Sequence, residues 1–124
     1  MQGLNASETL TESFTVSVSD GTATTSTTLS FTINGANDGP IGLTLSATSV
    51  AENSAGATIG TLSATDTDGD TLSYSLASGG DNNSFEISGT TLKLKDSVSA
   101  NYEANNVYDL TITVTDGTAS QSIS

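Results

Sequence analysis

The chain has 124 residues, 14 of them Asp or Glu against two Lys, with no Arg, His or Cys and a formal net charge of −12. That length suits one domain, or one domain with a piece of another. The charge argues against nucleic acid and anionic membrane as partners, and the missing Cys and His remove disulfides and thiolate or imidazole metal sites.

Period-2 alternation dominates from end to end, and no stretch carries a helical period. Phe14, Val16 and Val18 alternate with Ser and Thr, Asp20-Gly21 makes a turn, and Leu29, Phe31 and Ile33 alternate on the return, which reads as a hairpin. Asn34 to Pro40 is a turn-rich linker. Leu43 and Leu45 follow, then Ile59 and Leu62, whose odd spacing signals a bulge. Leu72, Tyr74 and Leu76 alternate, as do Phe85 with Ile87 and Leu92 with Leu94. The last strand pair is predicted over Tyr108–Val114, with a turn at Asp116-Gly117 and a short return through Ile123. Short strands at this spacing predict an all-β, Greek-key antiparallel β-sandwich of about seven strands plus an N-terminal hairpin. No apolar run approaches the roughly 20 residues of a membrane span, so no membrane insertion is expected.

The end of the chain repeats its beginning. Leu110 to Ala119 matches Phe14 to Ala23, both runs closing on Asp-Gly-Thr-Ala, at an offset of 96 residues (Asp116 against Asp20). That offset is about one sandwich domain, so the chain reads as a piece of a tandem array. On this reading residues 1–36 are the terminal hairpin of a preceding repeat and residues 37–40 a linker. Residues 41–124 are the next repeat, cut short in its last strand.

Asp66, Asp68 and Asp70 crowd one turn, Asn37 and Asp38 lie in the linker, and Asp116 ends an alternating run. Two carboxylates about 4 Å apart repel by roughly 4 kcal/mol at an effective dielectric near 20. Folding that gathers them calls for a neutralising ion, and oxygen-only ligands point to Ca2+. The turn is not an EF-hand, because the twelfth position from Asp66 is Ala77 rather than a bidentate Glu. A solvated acidic turn is the competing explanation of Asp66–Asp70, and Asp20 and Asp116 also suit plain hairpin turns. Asp81, Asp96, Asp109, Glu12 and Glu86 read as solvated surface. Asn5-Ala6-Ser7 and Asn82-Asn83-Ser84 fit the glycosylation sequon.

Ser49-Val50-Ala51-Glu52-Asn53, Gly60 to Asp68, Asn101-Tyr102-Glu103 and Tyr108 to Asp116 together resemble the strands of a cadherin repeat, and Asn37-Asp38-Gly39-Pro40 resembles the linker between repeats. The match covers residues 37–124. Residues 1–36 resemble the end of a VCBS-type or cadherin-like repeat from a large bacterial surface protein. The resemblance implies calcium at the junction, with Asn37, Asp38, Asp66, Asp68 and Asp116 as ligands. Asp70 stands where the family usually has Asn, in a shorter loop. Glu52 and Glu103 would serve a second site at the far end, where Asn101 replaces the usual acid.

The expected function is therefore a calcium-binding structural or adhesion repeat that stiffens a tandem array, extracellular or on a bacterial cell surface, as in an adhesin or biofilm protein. Its partners would be neighbouring repeats, with homophilic or strand-exchanged self-association as a variant. The alternative is a carbohydrate-binding or adhesive module, for which Tyr102 is the expected exposed ring and a glycan the partner. Catalysis is not expected, because every acidic cluster is turn-bound and no His or Cys nucleophile system exists.

Overall fold

A computed structural model of the chain describes residues 4–124. Alternating apolar and Ser/Thr residues give nine strands and no α-helix among the described residues. They are β1 (Thr9–Ser19), β2 (Thr24–Asn34), β3 (Ile41–Leu45), β4 (Thr58–Thr65), β5 (Ser73–Leu76), β6 (Phe85–Ser88), β7 (Thr91–Leu94), β8 (Ile112–Thr115) and β9 (Ser120–Ile123). The chain divides into two compact units, the first through Asn37 and the second Asp38–Ser124.

The second unit is an antiparallel sandwich. One sheet has the order β3-β4-β7-β6 and the other β5-β8-β9. β6–β7 and β8–β9 are hairpins, whereas the chain changes sheet from β4 to β5, back from β5 to β6 and again from β7 to β8, the Greek-key pattern. One face of each strand supplies the core: Leu43, Leu62, Phe85, Leu92 and Leu94 from one sheet, Ile112 and Val114 from the other. Ala100, in the long connection before β8, closes it. The β4–β7 ladder slips between Thr58 and Gly60, the irregularity that the spacing of Ile59 and Leu62 signals.

β8 begins later than the alternation predicts, at Ile112 instead of Tyr108. The reason is pairing: the ladder of β8 with β5 begins at the pair Leu76–Ile112, and its ladder with β9 at Ile112–Ile123. Tyr108 still packs on the core, edge-on to Phe85 with ring centroids 5.4 Å apart. Glu86 and Asp96, expected to be merely solvated, both pair with Lys93, at 3.0 and 2.7 Å, and these carboxylates hold its ammonium above the ordinary lysine range, Asp96 more than Glu86. Asn82 of the second sequon is a brace, accepting the Thr111 N–H at 3.1 Å and donating to the Gly79 carbonyl at 3.3 Å.

The first unit contains one long hairpin. Pairing of Leu10 with Ile33, Glu12 with Phe31 and Phe14 with Leu29 puts the large apolar side chains on one face, and Ser and Thr fill the other. Phe14 and Phe31 meet edge to face at 6.1 Å, yet they stay 52% and 50% exposed. Tyr102, at 66%, is thus not the sole exposed ring. Asp20 Oδ1 accepts the N–H groups of Ala23 and Thr22, both at 2.8 Å, and these donors hold its carboxyl below the ordinary aspartate range.

Two outcomes follow. Leu92→Ala, at a fully buried position, should cost about 2–5 kcal/mol in urea denaturation, whereas Val18→Ala, at a site 70% exposed, should stay within about 0.5 kcal/mol. A lowered folded pKa gives stabilisation that is present above the ordinary aspartate range and lost as pH falls through the lowered value. Asp20→Ala should therefore speed amide exchange in the hairpin at neutral pH and remove its acid-dependent loosening.

Candidate metal centre

The acidic turn leaves β4 at Thr65 and is shaped by its own first aspartate. Asp66 Oδ1 accepts the N–H of Asp68 at 2.9 Å and of Asp70 at 3.2 Å, curling the backbone around one carboxylate. Gly69 takes φ +79°, a conformation that L side chains rarely adopt, so the curl closes there. Asp68 Oδ2 accepts the N–H of Asp38 at 2.7 Å, which ties the start of the second unit to the turn. Oxygens of Asp66, Asp68 and Asp70 all lie within 4.8 Å of one another.

Each of the first two carboxylates uses one oxygen for the backbone and leaves the other over. Asp66 Oδ2 and Asp68 Oδ1 are buried and have no hydrogen-bond partner. An unpaired buried carboxylate oxygen is costly, and here two occur in one turn. Their chemistry fits a hard cation: all-oxygen, anionic and flexible enough for calcium's six to eight ligands. When bound, calcium would supply the missing positive charge, with Asp66, Asp68 and Asp70 as the side chains that hold it.

A second turn lies beside this entry point. A Cβ built on Gly39 would stand 2.8 Å from the Ala119 methyl, closer than real Cβ contacts. The Asp38-Gly39 backbone therefore runs against the β8–β9 turn, whose Asp116 Oδ1 accepts the N–H groups of Thr118 and Ala119 at 2.6 and 2.7 Å. Asp116 is outside the three-carboxylate group, and its observed bonds organise its own turn. Asp38 reaches the cluster through its backbone N–H. Asn37 belongs to the first unit and the centre is built within the second. The Gly39–Ala119 approach was visible in the sequence only as a Gly before Pro40.

The far end is organised differently. Glu52 forms an isolated parallel bridge with Ala100, and its Oε2 accepts the Tyr102 N–H at 3.4 Å. Asn101 Oδ1 accepts the N–H groups of Glu103 and Ala104 at 3.1 and 3.2 Å, so this side chain folds its own loop. Glu52 and Glu103 thus come to one loop cluster, on the opposite side of β4 from Asp66. Eight strand residues put roughly 26 Å between the two ends.

The sequence model of the cadherin domain matches residues 46–124, more than half of the chain, and the protein belongs to the cadherin domain family. No curated protein matches the chain in a sequence comparison. Cadherin domains are extracellular structural and adhesion modules that generally bind Ca2+. No helix among the described residues is long and apolar enough to cross a membrane.

Gly39→Ala tests the approach of the two turns. The added methyl meets a rigid methyl rather than a flexible chain end, so it should destabilise the second unit by about 1–3 kcal/mol in urea denaturation. Ala119→Gly should restore most of that loss.

Proposed function

We propose that this protein is a calcium-stiffened repeat of a tandem array, carried by a secreted or bacterial cell-surface protein. The observation that carries the reading is the pair of buried, partnerless oxygens, Asp66 Oδ2 and Asp68 Oδ1, in a turn whose other oxygens already hold the backbone. Calcium joining these oxygens orders the turn. Because Asp68 also holds the Asp38 N–H, the same event orders the residue at which the second unit begins. Asp116 and the far-end pair Glu52 and Glu103 complete the acid set expected to meet neighbouring repeats.

The tandem reading is supported by two hairpins of the same construction. β1–β2 and β8–β9 share their register across the 96-residue offset: Val16 pairs with Thr27 as Ile112 pairs with Ile123. Their bonds repeat as well. Ser19 Oγ donates to the Ala23 carbonyl at 2.9 Å and Thr115 Oγ1 to that of Ala119 at 2.7 Å, and the hydroxyl pairs Ser17–Ser26 and Thr113–Ser122 stand 2.7 and 2.8 Å apart. The resemblance of residues 1–36 to the end of a VCBS-type or cadherin-like repeat of a bacterial surface protein supports that setting.

Thermal unfolding with millimolar calcium, with magnesium and with EDTA checks this reading. Extracellular calcium modules bind at about 10⁻⁴ to 10⁻³ M, and at ten times the dissociation constant one site adds about 1.4 kcal/mol. The midpoint should rise with calcium, rise less with magnesium, and lose its calcium response in Asp66→Asn and Asp68→Asn. Superimposable curves would mean a solvated acidic surface instead.

A further inference from the structure

Four aspartates precede a glycine: Asp20-Gly21, Asp38-Gly39, Asp68-Gly69 and Asp116-Gly117. An Asp-Gly pair carries its own reaction, because the glycine nitrogen is an intramolecular nucleophile with no Cβ beside it to shield the approach. Two of the pairs are tied at both reacting groups. Asp20 Oδ1 accepts two backbone N–H groups at 2.8 Å, while the Gly21 N–H donates to Ser19 Oγ at 3.2 Å. Asp116 Oδ1 accepts two at 2.6 and 2.7 Å, and the Gly117 N–H donates to Thr115 Oγ1 at 3.0 Å.

The other two pairs lie at the candidate metal centre and lack those ties. Among the described residues neither the Gly39 nor the Gly69 N–H has a hydrogen-bond partner. Packing separates these two. Gly39 is pressed against the Ala119 methyl, where not even a Cβ fits, and the following Pro40 is buried, so the backbone there has no room to swing. Gly69 is exposed, with nothing within 4 Å of where its Cβ would stand. Asp68 beside it spends only Oδ2, on the Asp38 N–H, and its Oδ1 has no partner.

We propose that Asp68-Gly69 is a self-modification site, at which the calcium-free domain converts Asp68 to isoaspartate. The Gly69 nitrogen attacks Asp68 Cγ: a C–N bond forms, a Cγ–O bond breaks, and that oxygen leaves as water with the amide proton and a carboxyl proton. Water then adds to the five-membered imide. Opening at Cγ restores aspartate, and opening at the Asp68 carbonyl carbon leaves the backbone running through the side chain. Nothing is oxidised or reduced, and the mass is unchanged. The product has one more methylene in the turn, and its carboxylate has left the side-chain position that holds the Asp38 N–H, so a passing loss of calcium becomes a lasting one. Protection by calcium rests on the metal reading, since an oxygen engaged by an ion cannot leave as water. The choice of Asp68 among the four pairs does not.

The test ages the whole chain at neutral pH and physiological temperature in EDTA, in calcium and, unfolded, in urea, and reads isoaspartate at each pair by peptide mapping. In EDTA Asp68 should convert about tenfold faster than Asp20 or Asp116, whose extra hydrogen bonds must open first, and faster than Asp38. In urea the four rates should converge, because the ranking comes from the fold. Calcium at ten times its dissociation constant leaves about one site in eleven free, so conversion of Asp68 should fall about tenfold. Thr115→Ala, which releases the Gly117 N–H, should raise conversion at Asp116 and leave Asp68 unchanged. Equal rates at the four folded pairs, a faster Asp38, or a folded ranking that persists in urea would overturn the proposal. The thermal midpoint is followed in parallel. A midpoint that responds to calcium beside an Asp68 rate that does not would overturn the protection and leave the metal reading standing. A flat midpoint with Asp68 still fastest would overturn the metal reading and support the Asp68 assignment.

Discussion

Mutual repulsion among Asp66, Asp68 and Asp70 is the constraint around which the second unit is arranged. Folding brings their oxygens within 4.8 Å of one another and buries two of them without a donor. Asp66 Oδ1 and Asp68 Oδ2 are spent on the backbone N–H groups of Asp38, Asp68 and Asp70. These bonds fix the turn's shape without supplying a counter-charge. A cation in the turn would remove the repulsion and satisfy the leftover oxygens in one step, linking metal binding to local folding.

The rest of the sandwich serves to present this turn and its neighbours. A thin core of Leu, Ile, Val and Phe holds two small sheets together, and the strand ends carry the polar turns. β4 connects the Asp66 turn at one end with the Glu52 loop at the other, so the module carries acids at both ends of one stiff element. The close approach of Gly39 to Ala119 sets the chain's entry beside the β8–β9 turn.

Much of this was legible in the sequence because both signals are local. Alternation such as Leu110-Ile112-Val114 reports directly on a half-buried strand, and three aspartates in one turn can hardly avoid one another. Pairing partners are not local, and there the sequence reading failed: the strand expected from Tyr108 starts at Ile112, where its ladders to Leu76 and Ile123 begin. Lys93 likewise could not be assigned to Glu86 and Asp96 before the β6–β7 register was known. Asp38 is expected among the ligands, and its observed contact is a backbone N–H to Asp68, a bond compatible with that role. Nothing in the residue order distinguishes those two uses.

The most direct test of the account is a calcium titration followed by backbone amide NMR. Calcium held by the Asp66–Asp70 turn should shift the amides of Asp38, Asp68 and Asp70 first and together, with one saturable curve, because those N–H groups bond to the carboxylates that bind the ion. Small, unsaturable shifts spread over Asp81, Asp96, Asp109 and the other surface acids, with the Asp38 amide unmoved, would contradict it.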